Sequence, residues 1–440
     1  MEKLSKKQTF LIGITLFSMF FGAGNLIFPP FLGEQAGTLA WVAFAGFALS
    51  AIGLPVLGVI AVAKSGGLST LAGRVHPKFA AVFTFLIYLS IGPCLAIPRT
   101  ASTSFEMAVL PFVPNLAENP MPLLIYSLVF FSVALILALR PDKLTERLGK
   151  RLTPVLLTLI FVIFAACLIF PPGGYGAVTD AYLNNTLIKG FLDGYQTMDT
   201  IAALNFGIII ALNIRALGIK DDKQVVRSTI HAGWIAGGLL LAVYAALTYV
   251  GALTGGSFGL NENGAQTLTA IVVNLFGKTG LVILAIIFVI ACLNTCVGLI
   301  SCCSEYFSEI FPRFSYKQWA VFFAVVSMVI SNAGLNAILK ISIPVLNVLY
   351  PISIVLIALA FLQKWLGRFK AVYPVGILFT GIISLISALA QNQIAIPVIT
   401  PLIEKIPLYD MGLGWVIPAI VGILLGIVIS GLNKKKACEV

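Results

Sequence analysis

Phe20-Phe21-Gly22-Ala23-Gly24-Asn25-Leu26-Ile27-Phe28-Pro29-Pro30 is the stretch that decides how this chain folds. It lies within residues 8–33, a run without Asp, Glu, Lys or Arg. A bilayer-spanning helix needs about 20 mostly apolar residues, and the run is long enough. Its middle does not suit a plain helix. Pro29 and Pro30 lack the N–H that a helix interior uses, and Gly22 and Gly24 lower the cost of leaving helical geometry. The expected outcome is a helix broken at mid-membrane depth. Freed N–H and C=O groups in hydrocarbon cost several kcal/mol each, so the break must face protein or a polar cavity. A packing kink is the competing reading, and two adjacent prolines after Gly-x-Gly-Asn are harder to explain that way.

Outward from this stretch the chain is almost continuously apolar. Of its 440 residues 59% are hydrophobic and 10% charged, against roughly 25% charged in soluble proteins. The mean hydropathy is +1.02. These values exclude a globular cytosolic enzyme, a nucleic-acid binder and a disordered chain. Further uncharged stretches occupy 35–63, 79–98, 119–139, 152–179, 228–261, 279–304, 318–339, 341–363, 371–403 and 411–433, and 191–213 is interrupted only by Asp193 and Asp199. The expectation is an all-α integral membrane protein of about twelve transmembrane helices, with no room for a sizeable soluble domain. The first stretch is too long for a signal-peptide core and lacks an A-x-A-like cleavage site, so it reads as a retained helix.

Alternate ends of these spans differ sharply in charge. Of the 28 Lys and Arg, all but Arg99, Lys189, Lys278, Lys340 and Lys405 fall on one side. That asymmetry predicts both termini and every basic loop in the cytoplasm. It also accounts for the net charge of +11 without a nucleic-acid partner. Six of the seven cysteines lie within spans and read as small apolar packing residues.

Two more segments depart from plain helix. Asp193-Gly194-Tyr195-Gln196-Thr197-Met198-Asp199-Thr200 interrupts the sixth span. An ionisable residue inside a span is a functional-site candidate by default. The alternative, a span that starts near Thr200, leaves too few residues to cross. The third segment is Ala291-Cys292-Leu293-Asn294-Thr295-Cys296 followed by Ser301-Cys302-Cys303-Ser304. Its Asn, Thr and Ser oxygens suit hard cations such as Na⁺, although small polar residues also bond between helices. Interrupted spans 1 and 6 occupy corresponding places in two five-helix halves, which points to an inverted-repeat transporter. The halves are expected at 1–172 and 187–363, with two additional helices in 371–433.

With Phe20–Pro30 followed by Gly33-Glu34, the run 194–199, and the run 292–305, the chain resembles the bacterial branched-chain amino-acid carriers, the BrnQ-type sodium symporters. The resemblance covers nearly the whole chain. It implies a LeuT-type fold and sodium-driven import of leucine, isoleucine and valine across the bacterial inner membrane by alternating access. It also implies residue roles. Ala23 and Gly24 would offer N–H groups to the substrate carboxylate. Asn25, Thr197 and the carbonyl of Phe20 would ligate one sodium, with Thr248 as the candidate from span 7. Ala291, Asn294 and Thr295, with the carbonyls of Ser18 and Phe21, would ligate a second. Tyr195, Gln196, Met198 and Asp199 complete the expected substrate site.

Arg99 and Glu106, seven apart in span 3, are expected to form a gating ion pair or to sit near the outer surface. Glu34 is expected to end the first span or to line the outer vestibule. Asp199 is expected to bind the amino group, take part in proton coupling or bond to freed backbone. An intramembrane enzyme would need a catalytic set such as H-E-x-x-H, and a channel repeated filter elements. Neither is present in the sequence. A proton-coupled amino-acid transporter of the same architecture is the remaining rival.

Overall fold

The computed structural model describes residues 4–113, 119–139, 141–394 and 396–438. Lys3, Arg140, Lys143, Arg147, Lys150, Arg151, Lys434, Lys435, Lys436 and Cys438, all counted above, lie outside the described residues or side chains. In chain order the helices are α1 (Lys6–Phe20), α2 (Ala23–Ala36), α3 (Ala40–Ala48), α4 (Leu54–Ser65), α5 (Leu68–Gly73), α6 (Pro77–Leu89), α7 (Ala96–Ala108), α8 (Pro120–Ala138), α9 (Pro141–Ile169) and α10 (Asp180–Leu183). They continue as α11 (Thr186–Asp193), α12 (Asp199–Ala216), α13 (Asp222–Thr254), α14 (Gly264–Ile310), α15 (Tyr316–Ser331), α16 (Leu335–Leu366), α17 (Val372–Gln391), α18 (Ile399–Ile403) and α19 (Val416–Cys438). Among the described residues eight helical stretches are long and apolar enough to cross a membrane, and three shorter apolar helices accompany them.

The first break falls at Phe21–Gly22. Ser5 caps α1 together with Gln8, and the helix ends where Phe21 turns extended at φ −76° and ψ 94°. Fifteen residues reach about 22 Å, short of the ~30 Å hydrocarbon core. Pro29 and Pro30 are not at the break, as the sequence suggested, but inside α2. There each removes one i→i−4 bond, so the carbonyls of Asn25 and Leu26 lose their helical donors while the helix continues. The second break follows the expected residues. After α11 comes a tight turn, Gly194–Thr197, then Met198 in left-handed backbone at φ 65°, then α12.

Spans that looked plain are not all so. A wide π-type turn, Leu49–Gly53, joins α3 to α4. Another, Ser90–Cys94, contains Pro93 and a non-helical Gly92, so α6 and α7 are separate helices. A Cβ on Gly92 would come within 2.8 Å of Cys303 Sγ on α14.

The broken helices pack reciprocally. α1 and α2 both run along α13, while α11 and α12 run along α3 and α4. Glycines allow the close approach. A Cβ on Gly251 of α13 would collide with the Pro30 carbonyl, and one on Gly33 of α2 with the Thr248 carbonyl. Because both obstacles are backbone, Gly33→Ala is expected to cost about 1–3 kcal/mol through overpacking. The check is a lowered unfolding temperature of the detergent-solubilised protein; an unchanged one contradicts this packing.

The outward faces stay apolar. On α8, Ile125 is 58%, Val129 59% and Ile136 63% exposed. A continuous exposed apolar surface of this kind suits contact with lipid.

Candidate functional site

The two breaks meet around one cavity with an empty volume of about 470 Å³. Asn25, the third residue of α2, organises the first break. Its Oδ1 accepts the Gly22 N–H at 3.1 Å, the backward half of a capping arrangement. Its Nδ2 donates to Asp199 Oδ2 at 2.6 Å and also to the Tyr244 hydroxyl. Tyr244 in turn donates to Asp199 Oδ2 at 3.0 Å. One network therefore ties α2, α12 and α13 together, and all three residues are buried. Asp199 opens α12, where a carboxylate interacts favourably with the helix dipole. Its N–H donates to Thr197 Oγ1 at 3.4 Å, and that hydroxyl donates to the Gly194 carbonyl at 2.9 Å.

Arg99 supplies the opposite charge. It lies one turn into α7, re-aimed by the interruption at Gly92–Leu95. The side chain is 5% exposed. Nη1 donates to the Gln196 carbonyl at 2.7 Å, and the guanidinium sits 5.3 Å from the Phe28 ring centroid. A Cβ on Gly24 would meet Nη2 at 2.8 Å, so with glycine here the guanidinium lies directly against the α2 backbone. Arg99 and Asp199 line the same cavity, yet no ion pair within 4.0 Å joins them. A buried charge without a partner is costly. The cavity thus presents a cation and an anion at separate points, with the N-terminus of α2 opening on it at Ala23 and Gly24. A helix N-terminus adds N–H donors for an anion. The rest of the lining is largely apolar: Met19, Phe20, Ile91, Met198, Phe206 and Leu299.

Of the expected residues, Phe20, Ala23, Gly24, Asn25, Thr197, Met198, Asp199 and Thr295 line this cavity. Thr295 also faces the first break, where a Cβ on Gly22 would lie 3.2 Å from its Oγ1. Ser18, Phe21, Ala291 and Asn294 lie outside the lining, although Asn294 Oδ1 is buried without a hydrogen-bond partner. Gln196 contributes its carbonyl to Arg99 rather than a side chain to the cavity. Tyr195 turns away altogether and stacks on Tyr350 of α16 at 4.1 Å.

The expected Arg99–Glu106 pair does not form. Seven residues of helix separate them by about 10 Å along the axis, so sharing a face does not bring them together. Glu106 instead accepts from Asn263 at 3.0 Å. Glu34 neither merely ends its helix nor opens to a vestibule. It is fully buried, accepting from Thr267 at 2.8 Å and Asn261 at 2.5 Å, and so fastens the α13–α14 connection and α14 to α2. On α13 the residue that reaches the network is Tyr244, one turn before Thr248, whose hydroxyl is buried without a partner. The sequence signal for Arg99 was present in Gly92-Pro93, the same glycine–proline chemistry that marked the first break.

A family model described as branched-chain amino acid transport protein matches residues 5–433. Branched-chain amino acid permease BrnQ of Bacillus subtilis (strain 168) is 44% identical over 99% of each chain. The branched-chain amino acid transport system 2 carrier protein of Pseudomonas aeruginosa is 42% identical over 96% of each. Among solved structures, the inward-facing conformation of Mhp1 matches with TM-score 0.63 at 12% identity, covering 97% of this chain and 91% of that one. MhsT in complex with L-phenylalanine matches with TM-score 0.59 at 15% identity, covering 98% and 99%. These neighbours establish a LeuT-type fold. The chain is a multi-pass membrane protein, not an enzyme, and it belongs to the branched-chain amino acid transport protein family.

Proposed function

We propose that this carrier imports leucine, isoleucine and valine with sodium by alternating access. One observation carries the reading: Arg99 and Asp199 face a common, largely apolar cavity without touching each other. That spacing suits a zwitterion with an aliphatic side chain. Its carboxylate would meet Arg99 and the Ala23 and Gly24 N–H groups. Its ammonium group would turn toward Asp199. The side chain would enter the lobe of Met198, Phe206 and Leu299. Apolar pockets discriminate only about 1–3 kcal/mol per methylene, so the three amino acids would share the carrier.

Asn25, Thr197 and the Phe20 carbonyl would hold one sodium, with Asp199 and Tyr244 as ligands beyond the expected set. Thr295, Ala291 and Asn294 would hold the second with the carbonyls of Ser18 and Phe21. The reciprocal packing of the broken helices supports inverted halves at 1–172 and 187–363, with an added pair at 371–433. The Lys/Arg asymmetry supports both termini in the cytoplasm, in the inner membrane of a bacterium. An inward-negative potential then adds about 2.3 kcal/mol per sodium charge per 100 mV.

Proton coupling is the second reading. It is favoured by the burial of the Asp199 carboxylate among the hydrogen bonds of Asn25 and Tyr244. Leucine uptake into proteoliposomes separates the two. With choline in place of sodium at fixed pH, uptake is expected to collapse. Uptake that persists unchanged and follows a pH gradient overturns the sodium reading.

A further inference from the structure

Two short segments at the Lys/Arg-rich end of the helices differ from every other basic stretch of the chain. Residues 64–78 carry Lys64, Arg74 and Lys78, residues 361–373 carry Lys364, Arg368 and Lys370, and neither contains Asp or Glu. Each remaining basic segment at that end, 1–7, 140–151, 215–227, 305–317 and 434–440, includes at least one carboxylate. The fold brings the two acid-free segments together. Lys64, in the last turn of α4, lies 4.9 Å from the ring centroid of Phe361 on α16. Arg74, just after α5, donates from Nη1 to Gln363 Oε1 at 3.3 Å and to the Tyr373 hydroxyl at 3.1 Å. All three partners are uncharged. The ion pairs among the described residues, Lys189–Asp193 and Arg215–Asp222, include none of the six cations.

We propose that this acid-free surface binds the anionic headgroup of a membrane phospholipid, between the segment joining α4 to α6 and the turn joining α16 to α17. One lysine in the last turn of α4 and one in that of α16 complement the helix dipoles. Six cations exceed that need and repel one another, so their assembly suits an anion supplied from outside. The Arg74 fork, engaged through Nη1, keeps further N–H donors for phosphate oxygens. Trp365 shows that lipid is at hand. It adjoins Lys364 and is 64% exposed, and exposed indoles favour the membrane–water interface. Basic pockets between transmembrane helices on the cytoplasmic side are suited to anionic headgroups. The proposal uses the cytoplasmic placement of this end but neither the substrate nor the coupling ion. Reconstituted vesicles carry the lipid in both leaflets, so its test does not depend on the direction of insertion.

The test uses the full chain in phosphatidylcholine vesicles that contain a minor fraction of brominated phosphatidylglycerol or, as the neutral control, brominated phosphatidylcholine. Bromine quenches a tryptophan that the lipid touches, and the Trp365 signal is the difference between the wild type and Trp365→Phe. Phosphatidylglycerol is expected to be preferred at Trp365 at least about fivefold, the factor that one Lys or Arg near an anionic surface contributes. Trp234, 70% exposed on α13, is expected to show no such preference in the same comparison with Trp234→Phe. The double variant Lys364→Gln/Arg368→Gln changes only exposed side chains, and Arg74→Gln removes the fork. Each is expected to reduce the preference at Trp365, the double variant to near that for phosphatidylcholine. Lys220→Gln/Lys223→Gln, in a segment with carboxylates, is expected to leave it intact. A preference that persists in Lys364→Gln/Arg368→Gln overturns the site. A preference equally strong at Trp234, or equally reduced by Lys220→Gln/Lys223→Gln, means diffuse surface charge and overturns it too.

Discussion

Arg99→Ala is expected to lower leucine uptake about 100-fold or more while the protein remains monodisperse and membrane-inserted. The guanidinium is the cation buried at the cavity, bonded to the Gln196 carbonyl and lying over Phe28. Removing one member of a buried, hydrogen-bonded charge pair costs about 2–5 kcal/mol, or roughly 30- to several-thousand-fold in affinity. Most of the loss arises once the carboxylate is bound, and the freed Gln196 carbonyl adds a smaller cost to folding. Arg99→Lys is expected to recover part of the function at most. An ammonium keeps the charge but not the planar fork that can bond a carboxylate and a carbonyl together. Uptake assays beside size-exclusion profiles check both variants. Near-normal uptake by Arg99→Ala would remove the residue from the substrate site.

Asp199→Asn is expected to produce a folded protein whose residual uptake, reduced about 100-fold, no longer responds to sodium. The replacement has the same shape. An amide oxygen in the place of Oδ2 still accepts from both Asn25 and Tyr244, so the network that ties α2, α12 and α13 survives. What disappears is a full negative charge in a water-poor site, where an opposite charge contributes far more than in bulk solvent. A tenfold change corresponds to about 1.4 kcal/mol, so a deficit near 3 kcal/mol gives the stated loss. Uptake against sodium concentration at fixed pH is the measurement. A sodium dependence equal to that of the wild type would assign Asp199 a purely structural role.

Local chemistry made the breaks legible in the sequence, and tertiary geometry hid much of what surrounds them. Gly22 and the run 193–200 announce the two departures from helix through residue type alone, whereas Gly24 stays helical in α2. Pro29 and Pro30 were harder to place, because a proline removes a donor without stopping a helix whose neighbours pack well. The close contact of Pro30 with Gly251 joins residues more than 200 positions apart in the chain. Tyr195 points away from the cavity between the breaks for a simpler reason. At three residues per turn in Gly194–Thr197, successive side chains diverge by about a third of a circle, so the run 195–199 cannot all face one way. Tyr244 reads as an ordinary apolar-helix aromatic until Asn25 and Asp199 are set beside it. A gating pair of Arg99 and Glu106, one of the two readings that the sequence allows, looks close because residues on one face are adjacent in projection, whereas helical rise keeps them apart.

The most direct test of the two-charge cavity pairs substrate analogues with variants. Leucine, leucinamide and 4-methylpentanoate, the last two lacking the carboxylate and the amino group respectively, are compared by competition with radiolabelled leucine on the wild type, Arg99→Ala and Asp199→Asn. Each deletion from the ligand is expected to weaken binding strongly in the wild type. The missing carboxylate should cost little more in Arg99→Ala, and the missing amino group little more in Asp199→Asn. If both analogues lose the same factor in all three proteins, the charges of leucine are recognised elsewhere, and the site described between the two breaks is not where the substrate binds.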